Sequence, residues 1–208
     1  MRCTATDGRQ AHEGTGRTMH WNIPNLLTWG RIALIPVFVL LFYLPQGWLH
    51  PQVINLWATV IFTVAAITDW LDGYLARRLR QQSRFGAFLD PVADKLMVAA
   101  ALIVLVDLGR AHALAALIII GREITISALR EWMAELGSRG SVAVAFIGKL
   151  KTTVQLIAIP VLLYWSPLPH FDTPFWGQAM LWLAALLTIV SMVYYLRRAW
   201  PLLREGMA

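Results

Sequence analysis

Between two long apolar runs the chain reads Asp69-Trp-Leu-Asp72-Gly73-Tyr-Leu-Ala76-Arg77, then eight residues, then Gly86-Ala-Phe-Leu-Asp90-Pro-Val-Ala-Asp94. Four of the 12 acidic residues of the chain lie in this segment. Charged side chains at membrane depth are costly, so their default interpretation is functional. Residues three or four apart share a helix face, which pairs Asp69 with Asp72 and Asp90 with Asp94. The polar turn between the pairs lets two helix ends pack antiparallel and bring the four carboxylates together.

Four carboxylates in one place repel one another unless cations lie among them. Hard divalent cations prefer oxygen ligands, and four negative charges match two such ions. A pair of divalent ions can clamp a diphosphate and stabilise a leaving phosphate oxygen. The segment therefore predicts a two-metal site for a phosphate ester.

The other residues of the segment suit the same ligand. Gly73 has no side chain and Ala76 a small one, so a phosphate or a base can approach the helix there. Arg77 can donate two hydrogen bonds to phosphate oxygens. Gly86 begins a helix, where N–H groups and the dipole favour anions. Asp94 lies deepest along its helix from the turn, and it is the candidate proton acceptor.

Composition places the chain in a membrane. It has 208 residues, which suggests one domain, with 58% hydrophobic and 14% charged residues. Soluble domains are nearer one quarter charged. Segments of roughly 20 apolar residues are long enough to cross a bilayer, so the predicted fold is all-α and polytopic. The six predicted spans cover about 26–44, 53–79, 86–108, 111–136, 146–165 and 175–196.

Basic residues predict the orientation of these spans. The net charge is +6, and its carriers cluster in alternate connections and at the C-terminus. They are Arg77, Arg78, Arg80 and Arg84, then Arg130, Arg139, Lys149 and Lys151, then Arg197, Arg198 and Arg204. The positive-inside rule puts these connections and both termini in the cytoplasm. Arg31 is the only charge inside the first span, near its cytoplasmic end, where its side chain could extend to the membrane surface.

The N-terminal residues differ from the rest. Residues 1–18 are polar, lack periodicity and lack the apolar core of a signal peptide. We expect them to be disordered, with Met19 as the natural start or 1–18 as a dispensable tail; a cytoplasmic tail of unknown purpose is the alternative. The predicted division is a tail over 1–21 and one catalytic domain over 22–208. Cys3 is the only cysteine, which excludes an intrachain disulfide.

The pattern Asp-x2-Asp-Gly-x2-Ala-Arg-x8-Gly-x3-Asp-x3-Asp is complete in this chain and resembles the signature of the CDP-alcohol phosphatidyltransferases. The resemblance implies six membrane helices, a polar cavity open to the cytoplasm, and usually a homodimer. It implies that two Mg²⁺ or Mn²⁺ ions are held by Asp69, Asp72, Asp90 and Asp94, with Asp94 also the base. It implies that the CDP group is bound by Asn25, Thr28, Asp72, Gly73, Ala76, Arg77 and Gly86.

Three less specific motifs resemble sequences of the bacterial members of that family that make phosphatidylglycerophosphate. They are Asn22-Ile-Pro-Asn-Leu-Leu-Thr28 with Arg31, Gly121-Arg-Glu-Ile-Thr-Ile-Ser-Ala-Leu-Arg-Glu131, and Gly148-Lys-Leu-Lys-Thr-Thr-Val-Gln155. The implied substrates are CDP-diacylglycerol and sn-glycerol 3-phosphate, in a bacterial inner membrane. Together the resemblance covers most of residues 22–198.

Basic residues in two of these motifs suit a phosphorylated acceptor. Lys149 and Lys151 begin a helix, where cations are unfavourable for the dipole, so a use such as binding glycerol phosphate is indicated. Topology and contact with lipid headgroups are the alternative for both. Arg122 lies mid-helix and would face the interior, where a structural pair with Glu123 or an aspartate is its alternative. Lys95, beside Asp94, is left out of the predicted site.

Three other functions compete with this hypothesis. Within the enzyme class, the acceptor could be an inositol phosphate, serine or phosphatidylglycerol. A cation transporter would use intramembrane aspartates, but it leaves Gly73, Arg77 and Gly86 unexplained. A structural scaffold leaves the aspartates unexplained.

Overall fold

The computed structural model describes residues 23–45, 47–79, 84–135, 146–167, 169 and 172–206. The helices in these ranges are α1 (Ile23–Leu40) with a 3-10 turn (Leu41–Tyr43), α2 (Pro51–Leu79), α3 (Arg84–Asp107), α4 (Ala113–Glu135), α5 (Phe146–Tyr164) and α6 (Thr173–Gly206). The described ranges contain no strand, which confirms the all-α prediction. The predicted tail over 1–21 lies outside the described residues.

Five helices begin and end close to their predicted bounds, and the sixth does not. The sixth span was expected to end at about residue 196, but α6 continues to Gly206. Arginine is a good helix former, so Arg197 and Arg198 end the apolar part of the helix without ending the helix itself. Hydropathy marks the edge of the hydrocarbon, and the backbone continues beyond it.

Small residues allow the helices to pack closely. Nine alanines are almost completely buried: Ala58, Ala65, Ala93, Ala101, Ala115, Ala116, Ala158, Ala184 and Ala185. Membrane helices use small residues in this way because lipid provides no hydrophobic drive for their association. Gly177 of α6 is the tightest example, since a Cβ there would lie 2.7 Å from Cδ2 of Leu162 on α5. The sequence of α6 is therefore constrained at this contact by space.

Large apolar side chains cover the outside of the bundle. More than half of the side chain is exposed at Leu40, Ile67, Ile103, Leu117, Ile124 and Leu186, which lie on five different helices. Such a surface is unfavourable in water and suits lipid. Among the described residues, three windows are long and apolar enough to span a bilayer, namely Leu26–Tyr43, Pro51–Asp69 and Thr173–Arg197.

The remaining helices are less clearly spans. An apolar stretch of α5, Leu150–Tyr164, is shorter than the other three. Helices α3 and α4 carry charged residues within their length, which lowers their hydropathy. The fold thus confirms a membrane protein made of helices, whereas the count of six spans stays a prediction.

Arg110 links the turn after α3 to α2 and to the end of α5, all at one end of the bundle. It lies in the turn after α3, and its Nη2 donates a hydrogen bond to Oδ1 of Asn55 on α2 at 3.0 Å. Its Nη1 donates to the carbonyl oxygen of Leu163 near the end of α5 at 2.9 Å. The guanidinium also lies over the ring of Trp165, 5.3 Å from the centroid. We call these contacts the Arg110 clamp.

Candidate active site

A cavity of about 450 Å³ is lined by side chains from five helices. The polar and charged lining residues are Asp69, Asp94, Lys95, Arg122, Glu123, Lys151, Thr152, Thr153, Gln155 and Tyr195. The C-terminal parts of α2 and α6 meet the N-terminal parts of α3 and α5 here. The helices therefore alternate in direction, and the cavity lies at the end opposite the Arg110 clamp.

Asp69 is bound by an arginine of the first helix. Nη1 of Arg31 donates a hydrogen bond to Oδ1 of Asp69 at 2.7 Å. The Arg31 side chain is 1% exposed and the Asp69 side chain 39% exposed. The expectation that Arg31 extends to the membrane surface is therefore wrong, because a charge-assisted bond to a carboxylate is stronger than a neutral one and offsets part of the cost of burial. Asp69, one of the four predicted carboxylates, therefore has a compensating cation.

Two of the four predicted metal ligands are brought together by the fold. Asp69 of α2 and Asp94 of α3 line the same cavity. Asp72 lies one turn after Asp69, and Asp90 one turn before Asp94, on helices whose backbone is described. The side chains of Asp72 and Asp90 lie outside the described residues. Within the described residues no cluster of three ligating side chains occurs, so the four-aspartate ligand set stays a prediction.

The buried cations of the cavity lie on α4 and α5. Arg122 is 7% exposed and Lys151 2% exposed, and both line the cavity. Oε1 of Glu123 accepts hydrogen bonds from both, a short one from Nζ of Lys151 and one of 3.3 Å from Nη1 of Arg122. Two cations therefore share one carboxylate. The predicted pairing of Arg122 with Glu123 is present, and it does not remove Arg122 from the cavity.

Six polar or charged lining residues were not among the predicted site residues: Lys95, Glu123, Thr152, Thr153, Gln155 and Tyr195. Lys95 was left out of the predicted site because a lysine beside Asp94 could serve only to neutralise local charge or to extend to the membrane surface, yet both residues line the cavity. Glu123 was considered only as a partner for Arg122, and its bond to Lys151 of α5 needed the fold. Thr152 beside Lys151 carried no signal of its own. Tyr195 lies far along the chain on an apolar helix, where nothing in the local sequence distinguishes it from a lipid-facing tyrosine.

Comparison with known proteins assigns the chain to a family. The sequence model of the CDP-alcohol phosphatidyltransferases matches residues 21–190. The chain belongs to the CDP-alcohol phosphatidyltransferase family. Family membership confirms the resemblance inferred from the eight-position signature between Asp69 and Asp94.

Bacterial relatives lie within this CDP-alcohol phosphatidyltransferase family. The CDP-diacylglycerol–glycerol-3-phosphate 3-phosphatidyltransferase of Escherichia coli strain K12 is 53% identical over 183 residues, covering 87% of this chain and 96% of the relative. The enzyme of the same name from Salmonella typhimurium strain LT2 is 52% identical over 183 residues with the same coverage. The similarity therefore extends over almost the full length of both relatives.

The remaining predicted binding residues lie on α1, α2, α3 and α5. Thr28 of α1 is buried. For seven other predicted residues the helical backbone is described and the side chain lies outside the described residues: Asn25, Asp72, Gly73, Ala76, Arg77, Gly86 and Lys149. Their assigned roles stay predictions, and the helices place all of them in the bundle that carries the cavity.

Proposed function

We propose that this chain transfers the phosphatidyl group from CDP-diacylglycerol to sn-glycerol 3-phosphate, giving phosphatidylglycerophosphate and CMP. The observation that carries the proposal is one cavity with carboxylates from α2 and α3 and buried cations from α4 and α5. The names of the two bacterial relatives support the same pair of substrates. The cations argue against a cation transporter, because Arg122 and Lys151 would repel its cargo.

The carboxylate half of the cavity suits divalent cations. Asp69 and Asp94 offer oxygen ligands that Mg²⁺ and Mn²⁺ prefer, and Asp72 and Asp90 follow within one turn on the same helices. Arg31 holds Oδ1 of Asp69 and so sets the direction in which the carboxylate faces. When bound, two such ions would neutralise a diphosphate and stabilise the leaving phosphate oxygen.

The nucleotide is expected to bind beside these carboxylates. Its binding residues in the proposal are Asn25, Thr28, Asp72, Gly73, Ala76, Arg77 and Gly86. Gly73 has no side chain and Ala76 a small one, so the diphosphate and the cytosine can approach the backbone of α2. Arg77 would add a bidentate contact to phosphate.

The acceptor phosphate is expected to bind to Arg122, Lys149 and Lys151. Burying cations is costly unless negative charge lies close to them, and Arg122 and Lys151 both bond to the single carboxylate of Glu123. A phosphate dianion at this place would add negative charge beside two buried cations. The arrangement favours a phosphorylated acceptor over serine.

Asp94 is proposed as the general base. It accepts the proton of the C1 hydroxyl while the hydroxyl oxygen bonds to the phosphorus that carries the diacylglycerol. The bond from that phosphorus to the bridging oxygen breaks, and CMP leaves with the electron pair. The proposed displacement is direct, because the segment from Asp69 to Asp94 has no cysteine or histidine, and its one serine, Ser83, is seven residues away from the nearest aspartate.

The orientation and assembly are also proposals. The cavity lies at the C-terminal part of α2 and the N-terminal part of α5. Basic residues follow α2 and precede or begin α5 in the sequence, so the positive-inside rule puts this end in the cytoplasm of a bacterial inner membrane with both termini. A homodimer is inferred from the family resemblance.

An acceptor panel tests the proposed function. Purified protein with CDP-diacylglycerol should release CMP with sn-glycerol 3-phosphate and much more slowly with serine, an inositol phosphate or phosphatidylglycerol. Equal or faster CMP release with any of these three would assign a different acceptor within the family. Absence of CMP release with every acceptor would contradict the transferase assignment.

A further inference from the structure

Tyr195 of α6 lines the same cavity as Arg122 and Lys151, the proposed binding residues for the acceptor phosphate. The residue is 1% exposed and lines the cavity together with Arg122 of α4. The guanidinium carbon of Arg122 lies 5.7 Å from the centroid of the Tyr195 ring. This distance is within the range in which the electron-rich ring face attracts a cation. Helix α6 is otherwise an apolar span, so a cavity-lining tyrosine at this place has a specific contact to explain it.

Arg122 is contacted from two helices at once. Its Nη1 donates to Oε1 of Glu123 at 3.3 Å, and the Tyr195 ring contacts the guanidinium as well. A guanidinium is a planar fork whose donors point in fixed directions, so orienting it decides which ligand it can grip. The Glu123 carboxylate restrains one edge of the Arg122 guanidinium, and the Tyr195 ring restrains the position of the guanidinium beside α6. The contacts leave Arg122 in the cavity with a defined orientation.

We infer that Tyr195 is a positioning residue for the acceptor phosphate, acting through Arg122. The inference rests on the proposed role of Arg122 in binding sn-glycerol 3-phosphate. The aromatic face of Tyr195 does the positioning through its contact with the guanidinium. The ring therefore sets the affinity for the acceptor and leaves the affinity for CDP-diacylglycerol unchanged.

A packing role alone makes a different prediction. Tyr195 is a large buried side chain, and its removal leaves space between α6 and α4. A looser bundle would alter the KM of both substrates and would lower thermal stability. Restoring the ring without the hydroxyl separates the two roles, since Tyr195→Phe keeps the π-face and Tyr195→Leu keeps only apolar volume.

The experiment measures KM for each substrate with purified protein. Tyr195→Leu should raise the KM for sn-glycerol 3-phosphate by about fivefold and leave the KM for CDP-diacylglycerol near its original value. Tyr195→Phe should keep the KM for sn-glycerol 3-phosphate within about twofold. Tyr43→Leu is the matched control, because Tyr43 is exposed at the other end of the bundle and its loss should change neither KM. If Tyr195→Leu does not fold, Tyr195→Met supplies an unbranched apolar replacement for the same comparison.

A double variant decides whether the effect passes through Arg122. In an Arg122→Ala background, Tyr195→Leu should cause no further rise in KM, because residues that act through one contact are non-additive. A rise with Arg122→Ala but none with Tyr195→Leu would overturn the inference and keep the proposed acceptor site. Additive rises would overturn it too. An unchanged KM with Arg122→Ala alone would instead remove the acceptor role of Arg122, and the inference with it.

Discussion

Arg31 of α1 donates a 2.7 Å hydrogen bond to Asp69 of α2, with the guanidinium buried and the carboxylate partly exposed to the cavity. The bond joins the first helix to the beginning of the signature. It also sets a positive charge beside carboxylates that would otherwise repel one another. Arg31, which was expected to extend to the membrane surface, thus contacts the candidate active site instead.

Replacing Arg31 should impair catalysis without weakening metal binding. Arg31→Gln retains a donor but removes the charge, so Asp69 loses its fixed orientation while the local repulsion of cations falls. We expect kcat to drop about tenfold or more, with no increase in the Mg²⁺ concentration needed for half-maximal activity. Asp69→Asn should increase that concentration, and extra Mg²⁺ should partly restore its activity. Mg²⁺ titrations of both variants give the comparison, and a higher Mg²⁺ requirement in Arg31→Gln would contradict this account.

Removing the proposed base should affect kcat most. Asp94→Asn keeps the shape of the side chain but cannot accept the hydroxyl proton. A general base contributes about 10²–10⁴-fold, so kcat should fall at least about a hundredfold while CDP-diacylglycerol still binds. Asp107→Asn is the control, since Asp107 is exposed at the far end of the same helix. Near-normal kcat for Asp94→Asn at saturating substrates, or a trapped phosphatidyl-enzyme, would show that the proposed role is wrong.

Removing divalent cations should stop the reaction. Two clustered carboxylates in one cavity, with two more within a turn, need cations to hold a diphosphate. EDTA should abolish CMP release, and Mg²⁺ or Mn²⁺ should restore it. Full activity in the presence of chelator would exclude the two-metal proposal.

Neutralising a buried cation should affect the acceptor alone. Lys151→Met keeps most of the side-chain volume and removes the charge that would contact phosphate. A hydrogen bond to a charged group is worth about 1.5–3 kcal/mol, so the KM for sn-glycerol 3-phosphate should rise by about tenfold or more. The KM for CDP-diacylglycerol should stay unchanged. Arg197→Met removes an exposed cation of α6 and should alter neither constant; equal effects of the two variants would point to general electrostatics.

Shortening the N-terminus should leave activity intact. The family match begins at residue 21, and residues 1–18 lack apolar periodicity. A chain that begins at Met19 should insert into membranes and release CMP at the normal rate. Loss of activity, measured at equal amounts of membrane-inserted protein, would assign these residues a function.

Helices were predictable from sequence because their signal is local. Apolar runs of membrane length predicted the helices. The spacing of the aspartates between Asp69 and Asp94 predicted that Asp69 and Asp94 would lie together. The burial of Arg31 was not predictable, because a lone charge in an apolar helix can either reach the surface or meet a partner on another helix. Tyr195 meets Arg122 only after α6 packs against α4. The end of α6 was misplaced because hydropathy reports the lipid boundary and carries no information on backbone hydrogen bonding.

The Arg110 clamp holds α2 at Asn55, far from the cavity where the reaction is proposed to occur. Asn55 and Asp69 are 14 residues apart on α2, which is about 21 Å along a helix. A change of about 3° in the tilt of α2 at the clamp would therefore shift the Asp69 backbone by about 1 Å. Shifts of that size can cost about a hundredfold in rate when reacting groups must be aligned. The tilt of α2 at the Arg110 clamp would therefore affect where Asp69 lies in the cavity.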